Sequence, residues 1–159
     1  MREAPEVEIR EGTIADLERL TQQRLAFLAE RTATPIDEVI DRLTVPTRRY
    51  FAERFAAQRL WCWFAEDARG VAGAVAFVIN DIPPRPSDLR VLEAHVLNMF
   101  VAPARRGAGV GRRLLTAGVA AAAARGVRLV VLHATDDGRP LYRSLGFEPH
   151  PDWMELALP

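Results

Sequence analysis

The segment VAPARRGAGVGRRLL, Val101 to Leu115, crowds four arginines around three glycines. Arg105, Arg106, Arg112 and Arg113 flank Gly107, Gly109 and Gly111, and no acid lies between Ala102 and Arg125. Residues of these types at this spacing can hold a multiply charged anion. Glycines permit positive φ and let backbone amides point inward without side-chain interference. An apolar helical pattern starts at Val110, and a helix N-terminus adds free amides and the positive end of its dipole. Guanidinium groups add paired donors for phosphate oxygens. A pyrophosphate is the ligand such a set fits.

Two nucleotide loops are excluded by the same residues. A Walker loop needs Gly-Lys-Ser/Thr, but Gly111 is followed by Arg112 and Arg113. A dinucleotide fingerprint needs G-x-G-x-x-G; from Gly107 that spacing reaches Gly109 and then Arg112. About 48 residues follow Gly111, too few for the rest of a two-half dinucleotide fold.

The spacing that is present, Arg106-x-x-Gly109-x-Gly111, resembles the coenzyme A pyrophosphate loop of the GNAT N-acyltransferase superfamily, Gln/Arg-x-x-Gly-x-Gly/Ala. A second segment, GRPLYRSLGFE from Gly138 to Glu148, is similar to that family's short helix with a tyrosine four residues before Gly-Phe; here these are Tyr142, Gly146 and Phe147. One helix and one strand separate the two segments, as in the family. The likeness covers Leu97 to Phe147 firmly and the whole chain in element order, and VLNMFV, LHAT and GRPLYRSLGF resemble a bacterial branch.

The resemblance implies acetyl-CoA as acyl donor. The pantetheine arm would pair with the backbone of Met99, Phe100 and Val101, beside a bulge that splays this strand from the next. The pyrophosphate would lie on Arg106, Gly107, Ala108, Gly109, Val110, Gly111 and Arg112. Thr135 stands where many members carry an asparagine that contacts pantetheine; its hydroxyl can still hydrogen-bond. Arg139 and Arg143, beside Tyr142, could reach a coenzyme phosphate or be solvated helix charges, and Arg105 and Arg113 carry the same alternatives.

Acyl transfer from a thioester to an amine has three needs: a neutral amine, donors for the oxyanion, and a proton or other stabilisation for the thiolate. By resemblance the Met99 amide is the oxyanion donor and Tyr142 the acid; a phenol is neutral at pH 7 and can donate. Glu93 and His95, two apart on one strand, share a face and are candidate bases. Asn98 cannot act as a base but could orient substrate or water. His133, ending the next strand, is a further candidate base.

The elements that must position these groups follow from the hydrophobic pattern. Val7–Arg10 reads as a short strand. Thr13, with Asp16 three residues on, caps a helix whose apolar period runs through Ile14, Leu17, Leu20, Leu25 and Leu28. Pro35 opens a second helical stretch, Pro46 is expected to break it, and a further helix covers 48–58. Two strands, 60–66 and 71–81, flank the turn DARG; the proline-rich IPPRPSD is a loop before a long strand over 90–101. A helix over 110–125, a strand over 127–133, a short helix over 138–144 and one or two closing strands within 147–158 complete the chain. The expected fold is α+β: a mixed, mainly antiparallel sheet of about six to seven strands flanked by helices, in the order βααβββαβαβ. Tyr50, Phe51, Trp61 and Trp63 are expected in the core.

The 159 residues fit one domain over 1–159. With 21 bases, all arginine, against 21 acids, no net charge attracts nucleic acid or an anionic membrane. A single cysteine, Cys62 in LWCWF, excludes an intrachain disulfide and a cysteine metal cluster and reads as a small buried residue. The three histidines have no ligand spacing, so no metal is expected. The N-terminus is too charged for a signal peptide, which makes a cytoplasmic protein the expectation. The resemblance implies a small-molecule or peptide amine as partner and allows a homodimer. Glu30, Asp37, Glu38 and Asp41 could attract an ammonium or form a solvated helix face; nothing selects the acceptor. A non-catalytic CoA-binding domain of the same fold is the alternative.

Overall fold

Residues 60 to 101 carry long apolar runs broken only by a glycine turn and a proline loop, and they pair into the centre of one sheet. The computed structural model describes residues 6–87, 89, 91–152 and 154–158. Its elements are β1 (Glu8–Glu11), α1 (Leu17–Thr32), α2 (Ile36–Ala56), β2 (Leu60–Asp67), β3 (Gly70–Ile82), β4 (Val91–Val101), α3 (Val110–Ala124), β5 (Val127–Leu132) and α4 (Arg139–Ser144). The strands lie in sequence order, β1-β2-β3-β4-β5. All neighbours are antiparallel except β4 and β5, which are parallel and joined through α3.

Helices cover both faces of this sheet. Leu17 and Leu20 of α1 and Phe51 of α2 pack on Cys62, Phe64, Ala74 and Ala76. On the other face Leu114 and Leu115 of α3 pack on Trp63, Phe77 and Val96. Cys62 is wholly buried as expected, and burial pushes its thiol up to about 12, so it is inert as a nucleophile. The expected cap forms as a capping box: the Thr13 hydroxyl accepts from Ala15 N, and Thr13 N donates to Asp16 Oδ2 at 2.9 Å.

Two expectations are corrected. Pro46 does not break the second helix, which runs unbroken from Ile36 to Ala56. Pro46 is exposed, so the Arg42 carbonyl that it leaves without an amide faces water, and packing of Val39 and Phe51 offsets the penalty. The closing strands are absent among the described residues of 147–158, and the sheet has five strands instead of about six to seven. Pro149 and Pro151 supply no amides for a ladder there, and Met154, Leu156 and Leu158 are 92%, 83% and 80% exposed. Asp88, Arg90 and Trp153 fall outside the described residues. Among those described, no helix is long and apolar enough to cross a membrane.

Candidate functional site

The site begins where β4 and β5 part. Their pairing ends at Val96 opposite Leu132, while β4 continues to Val101. Just past β4, Ala102 donates to Ala72 at the end of the β3 ladder. Successive amides of a strand alternate sides, so Met99 and Val101 turn theirs toward the edge that β5 has left. A bulge precedes this edge: Ala76 faces Asn98 and Phe77 faces Val96, leaving Leu97 as the extra residue.

A cleft of about 770 Å³ opens along that edge. Met99, Phe100 and Val101 form one wall, and Gly107, Gly109, Val110, Gly111 and Arg112 the next. Thr135, Leu141 and Tyr142 face them, and Phe27, Glu30 and Arg31 of α1 close the end. Gly107 and Gly109 have φ of 79° and 75°, in the left-handed region that glycine alone adopts freely. The first helical bond of α3 is Arg113 N to Gly109 O. The amides of Val110, Gly111 and Arg112 therefore stand free at the positive end of a helix of 15 residues. A Cβ on Gly111 would lie 2.9 Å from Met99 Cε and 3.2 Å from Leu141 Cδ2, so glycine there seats α3 against both cleft walls.

The arginines brace this turn. Arg105 pairs with the buried Asp67 carboxylate, which its guanidinium holds below the usual carboxylate range. Arg106 donates from Nε to Val101 O at 2.9 Å and from Nη2 to both Glu30 carboxylate oxygens at 2.7 and 2.8 Å. Arg106 also lines the cleft, and these bonds tie its head to α1 and β4. Arg112 donates to Ser144 Oγ at 2.5 Å and ties α3 to α4. Arg139 turns to Asp136 at 3.5 Å; neither it nor Ala108 lines the cleft, against expectation.

Tyr142 reaches the cleft from α4. Its ring stands edge-on to Phe147 at 5.9 Å, and burial raises its phenol above the ordinary value of 10. The group therefore stays protonated near neutrality and can give a proton. The Thr135 hydroxyl accepts from Gly138 N at 3.2 Å, which fixes the start of α4.

Glu93, His95 and Asn98 do not line this cleft. They lie on the α1-facing side of β4, as their register partners show: Val78, opposite His95, and Ala76, opposite Asn98, both pack in the α1–α2 cluster. The His95 ring lies 5.3 Å from that of His133. Burial, and next the charge of His133, lower the His95 pKa below 6.5, with Glu93 opposing. His95 is therefore neutral at pH 7 and able to accept a proton.

Asn98 is 0% exposed and neither of its amide atoms has a partner among the described residues. An unpaired buried amide costs about 1–3 kcal/mol. Asn98→Leu, similar in shape and apolar, is thus expected to hold or raise the melting temperature in calorimetry. A fall of more than roughly 6 °C would show that the amide is paired in solution.

Arg31 of α1, and Arg24 two turns further back, were invisible to motif reading, and Glu30, a candidate for attracting an ammonium, instead pairs with Arg106. Their helix shows only its core stripe, and nothing in sequence marks which exposed turn meets the glycine loop. Among the described residues no group of three His, Cys, Asp or Glu is placed to hold a metal.

The family model for the acetyltransferase (GNAT) domain matches residues 58–149. No curated protein matches the sequence. A predicted acetyltransferase from Clostridium acetobutylicum, solved with acetyl-CoA, superposes with a TM-score of 0.84 at 26% identity, covering 96% of each chain. A GCN5-related N-acetyltransferase from Ralstonia eutropha superposes with a TM-score of 0.78 at 27% identity, covering 96% of this chain and 99% of the other.

Proposed function

The chain belongs to the GNAT acetyltransferase family, and from that premise we propose that residues 1–159 are one N-acetyltransferase domain. It moves an acetyl group from acetyl-CoA to a primary amine by direct transfer in a ternary complex. The observation that carries this reading is one cleft uniting the free amides of α3, the unpaired edge of β4 and the Tyr142 phenol. A pyrophosphate suits the first, an amide-bearing pantetheine arm the second, and a departing thiolate the third.

Each residue then has a task. The Met99 amide points to the open edge, where it can donate to the acyl oxygen as negative charge develops there. Tyr142 gives its proton to the sulfur. His95, neutral at pH 7 and next to His133, takes the ammonium proton of the acceptor, directly or through water. Glu93 supports the charge that His95 then carries.

The overall reading is tested by thermal shift with acetyl-CoA and by thiol release across a panel of amines. No shift at saturating acetyl-CoA would sink it. A shift with no release from any amine would replace it by a binding domain without transfer.

The base has its own test in the pH dependence of kcat/KM. Because the folded His95 pKa is lowered, the proton-accepting form persists as pH falls to below 6.5 and is lost only beneath that. The profile should show an acid limb below 6.5, in addition to that of the acceptor ammonium, and His95→Gln should remove it. No limb from the phenol is expected up to pH 10, since Tyr142 is shifted upward. Persistence of the low-pH limb in the variant would exclude His95 as the base.

A further inference from the structure

Arg24 is a half-buried guanidinium with no carboxylate partner among the described residues, and burial lowers its pKa. Arg10, Arg105 and Arg125 differ in this. Arg10 is paired with Asp16 and Glu66, Arg105 with Asp67, and Arg125 with Glu11. Arg24 instead donates from Nη1 to the carbonyl of Leu97 at 3.0 Å and lies over the Phe27 ring at 5.3 Å. The Tyr50 phenol opposes that fall, and the like charge of Arg31, two turns further along α1, adds to it. Burial is the largest cause, as expected for a cation removed from water.

A guanidinium has five N–H donors in a fork that matches a carboxylate. Among the described residues one of those of Arg24 is used, on the bulge residue just past the last β4–β5 pair. This puts the cation on the α1-facing side of β4, the side that also carries His95 and the unpartnered amide of Asn98. His95 and Leu97 are two apart on that strand, a separation of roughly 7 Å. Arg24 does not line the coenzyme cleft, whereas Arg31 does. The unmatched charge therefore lies on the acceptor side of the strand and not among the groups set for the donor.

We propose that the acceptor is an amine that also carries a carboxylate, of the α-amino acid class, and that Arg24 binds that carboxylate. The inference rests on the acetyl-transfer reading above. An α-amino acid separates its carboxylate from its amine by a few ångströms, and Leu97, whose carbonyl Arg24 holds, lies two residues from His95 on the same strand. In the transfer the acetyl C–S bond breaks and a C–N bond forms. The proton lost by the amine goes to His95, the thiolate takes one from Tyr142, and the acceptor carboxylate is unchanged. A neutral acceptor would leave the Arg24 charge buried and unanswered, which is a specificity device against it.

The test compares matched acceptors by thiol release: α-amino acids, the corresponding α-carboxamides and the decarboxylated amines, each with saturating acetyl-CoA. Wild type should prefer the carboxylate member by at least about tenfold in kcat/KM, the range of one charge-assisted pair. In Arg24→Gln, which can still donate to Leu97, the preference should fall to about unity, and Arg24→Lys should restore part of it. The ratio within each variant cancels any general loss from altered packing. Equal use of amides and acids by wild type would overturn the proposal, and so would an undiminished ratio in Arg24→Gln. Turnover of neutral amines alone would leave acetyl transfer standing and remove this acceptor class. Release from no amine would remove both.

Discussion

Tyr142→Phe should lower kcat by about a hundredfold, within the range of a lost general acid, while acetyl-CoA affinity changes by less than about threefold. The two outcomes separate because the substitution deletes one oxygen and keeps the ring. That ring is held by contacts which phenylalanine retains. It stands edge-on to Phe147, and a Cβ on Gly138 would lie 2.8 Å from Tyr142 Cε2, so the start of α4 is shaped around it. The proton is the part that cannot be replaced. Burial keeps the phenol protonated beyond pH 10, so wild type holds its acid form across the working range. Stopped-assay kcat and calorimetric affinity for acetyl-CoA check the pair of values. An unchanged kcat would remove the acid role. Equal losses in both would show a packing role for the hydroxyl instead of proton transfer.

Much of this site was legible in residue types and spacing. Gly107, Gly109 and Gly111 marked the turn because positive φ and close approach demand glycine there, and Tyr142 stood at a fixed distance from Gly146-Phe147. The strands were legible because β2, β3 and β4 are apolar and bounded by a glycine turn and a proline loop. What escaped depends on contacts between elements distant in sequence. The ion pair between Arg106 and Glu30, on a helix far upstream, has no local sign in the sequence. Arg24 carries no motif at all; its interest comes from what α1 buries it against. Pro46 reads as a breaker because propensity is local, whereas the packing of α2 is not. The same limit applies to the end of the chain. Its apolar residues suggested strands, but Pro149 and Pro151 and the high exposure of Met154 to Leu158 leave it unpaired among the described residues.

Gly118→Ala should lower stability by about 2 kcal/mol, although the same change in an exposed helix would raise it by about 1 kcal/mol. The sign is decided by the space. Gly118 is the point at which α3 presses on the sheet: a Cβ there would meet Phe77 at Cε2, lie 2.6 Å from its Cζ and 3.2 Å from Trp63 Cε3. Phe77 and Trp63 are buried and packed edge to face at 5.5 Å, so neither ring can swing aside cheaply. The helix must rise instead. For a chain of this length the loss corresponds to a melting temperature roughly 4–8 °C lower. Thr116→Ala, exposed on the same helix, supplies the control and should raise it slightly. Function should follow stability here. The N-terminal turn of α3 presents the free amides of Val110, Gly111 and Arg112, and Gly111 is seated on Met99 and Leu141. Lifting the helix moves those amides away from the β4 edge, so acetyl-CoA affinity should fall together with the melting temperature. Phe77→Leu should partly rescue both in the Gly118→Ala background by opening room for the methyl group, a coupling that a double-mutant cycle measures. Additive losses in that cycle would show that the clash with Phe77 is not what fixes α3, and an unchanged affinity in Gly118→Ala would show that the glycine turn holds its shape without the helix seated beneath it.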